Sequence, residues 1–243
     1  MNALCLQKKL YQIILCNSIG IALFLSWYLP VDHGFWASMD RAVFFYFNQH
    51  LAESRFFLYF VAFTNFRAFD LVAGACMLLI LLYYFFQQNS EGKRRIICIF
   101  ITMALSTVAV KLLDRQLDFH RLSPTLYFTN IHEPVNFVSE MTGWNVKDSS
   151  TASFPGDHGA MLLIFTAFLA RYFGRKACLA GMILCILFSL PRIMSGAHWF
   201  TDVAVGSLSL VLLSMSWVLL TPAANTVIKW LEAKLLFPNF KNF

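Results

Sequence analysis

Six stretches of the chain, near residues 10–30, 69–87, 95–113, 158–173, 177–194 and 203–221, are apolar for about the length a helix needs to cross a bilayer. Backbone N–H and C=O groups in hydrocarbon find no water, so such a segment must satisfy them internally, as a helix does. The expected fold class is therefore all-α: a polytopic membrane helix bundle of six transmembrane helices. Composition agrees, since only 13% of the 243 residues are charged, against roughly a quarter in a soluble domain. The fourth run is the shortest. A further apolar stretch, near 41–66, is interrupted by Asn48, Gln49, His50, Glu53 and Arg55. It predicts one or two interfacial helices, with Phe and Tyr toward lipid and the polar residues toward water, rather than another span.

The flanking charges orient the bundle. Lys8 and Lys9 precede the first span, and Lys93, Arg94 and Arg95 separate the second from the third. Arg171, Arg175 and Lys176 separate the fourth from the fifth, and Lys229, Lys234 and Lys241 follow the sixth. Short cytoplasmic loops favour Lys and Arg, so these segments and both termini are expected inside. The net charge of +6 is largely this pattern and requires no nucleic-acid partner. The first span is too long for a cleaved signal, and no small-residue cleavage site follows Tyr28-Leu29-Pro30. It is expected to be retained within a single domain covering 1–243.

Residues 31–68, 114–157 and 195–202 then face the opposite side, and His33, His50, His120, His132, His158 and His198 gather there. The cysteines lie in or beside spans or in the inner tail. With no CxxC they suggest neither a disulfide framework nor a zinc site. No metal and no cofactor is expected. The long outer loop 114–157 is too polar for lipid and too long for a simple connection, which marks it as functional or disordered.

Three polar clusters meet the outer ends of the spans. In the last, His198 and Asp202 are four residues apart and share a helix face. A carboxylate there fixes the imidazole tautomer and leaves the other ring nitrogen free to attack an electrophile. Arg192 offers a planar fork suited to phosphate, and Gly196 lets the chain turn between them. Taken alone, this cluster fits a satisfied His–Asp cap equally well. The second cluster is Ser153-Phe-Pro-Gly-Asp-His158. Its Pro155-Gly156 turn opens a helix whose free N–H groups attract anions. Asp157 can cap that helix, and His158 beside it can donate a proton. The first cluster supplies Lys111, Arg115 and Arg121 as a phosphate clamp. For Lys111 and Arg115, snorkelling at the interface is an equal alternative.

These clusters resemble the signature of the type 2 phosphatidic acid phosphatase superfamily: Lys-x6-Arg-Pro, Pro-Ser-Gly-His, and Ser-Arg-x5-His-x3-Asp. Here the third motif reads Arg192-x5-His198-x3-Asp202, with Pro191 in place of serine. The second reads Pro155-Gly156-Asp157-His158. The first is degraded, with Leu122 after Arg121 and Asp114 seven residues before it. Lys111 would replace the motif-one lysine only through an insertion. Phe154-Pro-Gly-Asp-His158, Gly196-Ala-His-Trp-Phe200 and Thr64-Asn-Phe-Arg-Ala-Phe-Asp70 are most similar to a Gram-negative branch of the superfamily. Its members move the terminal phosphate of undecaprenyl diphosphate to the 1-phosphate of lipid A.

The resemblance implies a metal-independent lipid phosphotransferase of the bacterial inner membrane, with an active site facing the periplasm. It makes His198 the nucleophile that becomes phosphohistidine, Asp202 its orienting partner and His158 the acid. It makes Arg192 and Arg121 phosphate ligands, with the Gly156 N–H and Lys111 in support. Asp157 departs from the family pattern. It either biases the site against water or handles the acceptor phosphate, or it is a helix cap pointing away. Arg67 either contacts lipid A or pairs with Asp70 or a head group. Lys147 either closes over the site or is a solvated loop charge. A plain lipid phosphatase shares every catalytic residue. A transporter would carry its ionisable groups near the midplane, whereas here they gather at one face.

Overall fold

A computed structural model describes residues 3–66, 68–117 and 119–234 of the chain. Among them the secondary structure is helical, with a lone bridge between Phe66 and Val146. Five helical segments are long and apolar enough to cross a membrane. They are Leu6–Tyr28 within α1 (Ala3–Tyr28), α4 (Phe69–Phe86), Ser90–Gln116 within α5 (Ser90–Leu117), α9 (Arg175–Met194) and Asp202–Leu220. The last is a π-helical turn, Asp202–Ser207, running into α10 (Leu208–Leu220). The chain is thus a multi-pass membrane protein.

The expected count of six is not reached by length. The remaining apolar run forms α8 (Asp157–Tyr172), whose 16 residues at about 1.5 Å each fall short of a hydrocarbon core about 30 Å thick. This helix is the centre of the bundle rather than a lipid-facing column. Leu162, Ile164, Phe165, Phe168 and Leu169 are at most 1% exposed, packed among α5, α9, α10 and the terminal helix α11 (Ala223–Lys234). Gly181 of α9 permits the closest approach, because a Cβ there would lie 2.7 Å from the Thr166 hydroxyl.

The 41–66 stretch forms α2 (Gly34–Glu53) and α3 (Arg55–Thr64). They break at Ser54, whose hydroxyl accepts the Phe57 N–H at 3.2 Å and so caps α3. The expected facing is partly reversed. The buried face of α2 carries Asp40, Phe44, Asn48 and Leu51, so one aromatic and one polar residue of the interrupting set point into the protein. Asn48 turns inward because it satisfies the backbone of Asn136: its Nδ2 donates to the Asn136 carbonyl at 2.8 Å and its Oδ1 accepts the Asn136 N–H at 3.0 Å.

The long loop expected on the outer side carries α6 (Pro124–Asn130) and α7 (Val138–Thr142) within its described residues. It is laced to itself by Ser123 N–H to Ser150 O at 2.9 Å, Ser153 N–H to Arg121 O at 2.8 Å and Ser139 N–H to the Asp148 carboxylate at 2.8 Å. Those bonds fix Arg121 and Ser153 over the ends of α8 and α9.

Candidate active site

The N-termini of α4 and α8, the C-termini of α5 and α9, and the π-helical turn before α10 all finish at one end of the bundle. They bring Asp70, Lys111, Asp157, His158, Arg192, His198 and Asp202 together.

His198 is 6% exposed and Asp202 is fully buried. The His198 Nδ1 lies 2.9 Å from the Ser153 carbonyl and 3.3 Å from Asp202 Oδ2. Neither oxygen can donate, so Nδ1 carries the proton and Nε2 carries the lone pair. The turn that delivers His198 depends on Gly196, whose φ of 79° is left-handed and whose missing Cβ would lie 2.5 Å from Thr125 Cγ2 and 2.9 Å from Phe44. The turn expected between Arg192 and His198 is there.

Arg121 meets carboxylates. Its Nη1 donates to Asp202 Oδ1 and to the Thr201 hydroxyl, each at 2.8 Å, and its Nη2 donates to Asp40 Oδ2 at 2.7 Å. Its guanidinium also lies over the rings of Trp199 and Trp27, at 4.7 and 5.3 Å. Expected on phosphate, it is paired here with two buried acids, Asp202 and Asp40, behind the His198 ring. Asp40 is 1% exposed and also accepts the Thr201 N–H at 2.9 Å. Burial pushes its carboxyl above the usual range, while the Arg121 charge and the Thr201 hydrogen bonds pull it back.

Arg192, whose side chain is 5% exposed, donates through Nη2 to Asp70 Oδ1 and through Nη1 to Asn65 Oδ1 at 3.4 Å. The same Asp70 oxygen lies 3.2 Å from His158 Nε2. Lys147, beside Arg192 and Asp70 on the rim of a cavity of about 520 Å³, has its ammonium pulled below the usual lysine range, first by partial burial and then by the Arg192 charge.

Asp157 is the first residue of α8 rather than its cap; Gly156 holds the cap position without a side-chain bond. The Asp157 carboxylate accepts from Lys111 Nζ at 2.8 Å, both groups about half exposed. Gly156 donates its N–H to the Asp202 carbonyl at 3.0 Å, so that N–H, expected on phosphate, ties α8 to the turn that carries His198 and Asp202. Its missing side chain leaves room for Val203 and the Ser207 hydroxyl, 3.2 and 3.3 Å from where a Cβ would stand. The N–H groups of the next three residues remain for an anion, since a helix leaves its first donors unused. His198, Lys111, Arg115, Lys147 and Asp157 line a cavity of about 300 Å³. An apolar one lined by Val110, Met161, Ile164 and Leu210 opens beside His158.

Arg67 lies outside the described residues. Among the described residues no three of His, Cys, Asp and Glu gather as a metal site would require. Sequence reasoning missed Asp40 and Asn65, and it treated Asp70 only as a partner for Arg67. Asp40, an acid in an otherwise aromatic amphipathic stretch, was the available signal.

The sequence pattern of the PAP2 superfamily matches residues 119–227. Over 229 residues, 94% of this chain and 95% of the other, the sequence is 48% identical to Lipid A 1-diphosphate synthase of Escherichia coli (strain K12). No solved structure matches the chain.

Proposed function

We propose, from the premise that this chain belongs to the PAP2 superfamily, that it is a lipid phosphotransferase. It moves the terminal phosphate of undecaprenyl diphosphate to the 1-phosphate of lipid A at the periplasmic face of the inner membrane. The acceptor rests on the likeness to Lipid A 1-diphosphate synthase over nearly the whole chain. The donor and the orientation rest on the motif resemblance and on the placement of Lys and Arg. The chemistry rests on one observation: a buried His198–Asp202 pair with its proton fixed on Nδ1, opening onto a cavity lined by cations.

In the first step His198 Nε2 attacks the terminal phosphorus, and the bond to the bridging oxygen breaks. His158 protonates the departing undecaprenyl phosphate. Phosphohistidine forms, and Asp202 with the Ser153 carbonyl stabilises the ring as its charge rises. In the second step an oxygen of the lipid A 1-phosphate attacks the same phosphorus, the N–P bond breaks, and His158 acts as base. Arg192, Lys111 and Lys147 offset the charge of the transferring group, which is where phosphoryl transfer needs most help. Arg121 works one step removed, by holding Asp202. The catalytic groups stand at helix ends because both substrates keep their tails in lipid, so the phosphates arrive at head-group depth.

The test is mass spectrometry of lipid A from cells lacking the endogenous activity. Wild type should add one phosphate, and His198→Ala should add none. Purified protein given undecaprenyl diphosphate alone should release little free phosphate, and once lipid A is added the phosphate should appear on lipid A. Release at full rate without lipid A would make the protein a hydrolase instead.

A further inference from the structure

We propose that Asp70 is a positioning residue for the acid–base histidine, its Oδ1 bridging His158 Nε2 and the Arg192 guanidinium so that the transferable proton and the phosphate-facing arginine keep one register; this rests on the reading above. The nucleophile has its own carboxylate, Asp202. Until the chain folds, His158 has none that could serve it. Asp157, its neighbour, is taken by Lys111 at 2.8 Å. Folding brings Asp70 from the first turn of α4, with one oxygen 3.2 Å from the His158 ring and in contact with Arg192.

The surroundings explain why a carboxylate is needed. His158 is faced by Arg192 and His198 from α9 and the turn after it, by Lys147 from the outer loop, and by Asp70 from α4. Lys111 and Asp157 share the cavity wall beside it. Burial is the largest influence against a proton on this ring, and three of the four charged groups around it, being cations or able to become so, add to it, while the carboxylate favours the proton. A general acid must hold its proton when the donor arrives, so the net field has to be repaired locally. Asp70 is suited to this because its side chain is 40% exposed, at the cavity rim and not inside the core. Arg192 is not free to move away, with its side chain 5% exposed and a second nitrogen on Asn65. When phosphate binds, the arginine can turn donors toward it while Asp70 keeps the imidazole.

A competing role for the same contact is that of an anion merely filling the phosphate position until substrate displaces it. The two separate kinetically. The experiment uses the purified full-length protein in detergent micelles with undecaprenyl diphosphate and lipid A, comparing wild type, Asp70→Asn, Asp70→Glu and His198→Ala. Asp70→Asn should lower kcat by about 10- to 100-fold, toward the range a lost acid–base group gives. Its KM should stay within about 3-fold, because the phosphate ligands are intact. The alkaline limb of its kcat–pH profile should move to lower pH, and Asp70→Glu should restore part of both losses. A kcat and profile matching wild type would overturn the proposal, as would a lower KM with kcat retained, the signature of a displaced occupant. Thermal unfolding checks the fold. If Asp70→Asn does not fold, Asp70→Glu decides, since full kcat with a displaced carboxylate also overturns positioning. A wild type that transfers no phosphate sinks the underlying reading and this proposal with it. Transfer lost in His198→Ala but intact in Asp70→Asn sinks the proposal alone.

Discussion

At His198 two acceptors, a main-chain carbonyl and a carboxylate, converge on one ring nitrogen, and their agreement is what leaves the other nitrogen nucleophilic. The four-residue spacing to Asp202 made that pair readable in advance, but not its geometry: His198 stands in the bend before the helix that begins at Phe200, not on a helix face. Arg121 was less readable. Its charge and its place near the phosphate-binding motifs are properties of the sequence, but its partners stand 81 residues away in both directions. Asp157 shows the same limit. As an acid next to His158 it invited several roles, and the structure gives it Lys111. We infer from that pair that Asp157 tempers the Lys111 charge and restrains water in the cavity they line. Asp157→Gly would free Lys111 and open space beside the phosphohistidine. The expected outcome is a several-fold rise in free phosphate relative to lipid A diphosphate, read by separating both products from one reaction. An unchanged ratio would leave Asp157 no part in acceptor choice.

The helices divide their work by how they meet the outer end of the bundle. α8 and α9 bring His158 and Arg192 to the site from opposite termini, so one close antiparallel packing sets their relation. α2 supplies no reacting group, and its residues fall outside the matched pattern at 119–227. Yet Asp40 from its buried face takes two bonds from Thr201 and one from Arg121, clamping the turn that carries His198 from the side. Asp40→Ala would strand part of a largely buried guanidinium. Removing one partner of such a pair costs about 3–5 kcal/mol; because Arg121 retains Asp202, the low end applies here. The expected result is a lower unfolding temperature together with a larger loss of phosphohistidine than stability alone explains, read by trapping labelled enzyme on a folded fraction. Loss of stability without loss of label per folded molecule would confine Asp40 to packing. Amphipathic patterning allowed one or two interfacial helices near 41–66 and left the break at Ser54 to the structure. It could not reveal that Asn48 and Asp40 face inward, because a polar residue on an interfacial helix satisfies water or a buried backbone with equal ease until the partner's position is known.

Across the whole molecule charge and chemistry separate. α5 runs about 42 Å at 1.5 Å per residue over its 28 residues, with Lys93 to Arg95 at one end and Lys111 and Arg115 at the other. α9 repeats the arrangement, from Arg175 and Lys176 to Arg192. The end without the active site therefore holds the short basic connections, which the bias of cytoplasmic loops would retain inside, and the site would face the periplasm. We predict the labelling of single cysteines in a variant whose native cysteines are replaced. Glu140→Cys on α7 and Lys176→Cys at the start of α9 both fall at exposed positions. In cells with a permeabilised outer membrane, a membrane-impermeant maleimide should modify residue 140 and spare residue 176 until the inner membrane is lysed. The reverse pattern would put the histidines in the cytoplasm, where lipid A phosphorylation would have to precede export. Equal labelling from both sides would mean that the charge pattern does not orient this bundle. The long outer loop makes the outcome asymmetric in cost as well. It holds Glu133, Glu140, Lys147 and Asp148 in a hydrogen-bonded cover, and labelling of residue 140 from outside would mean that this whole cover is translocated together with the site beneath it.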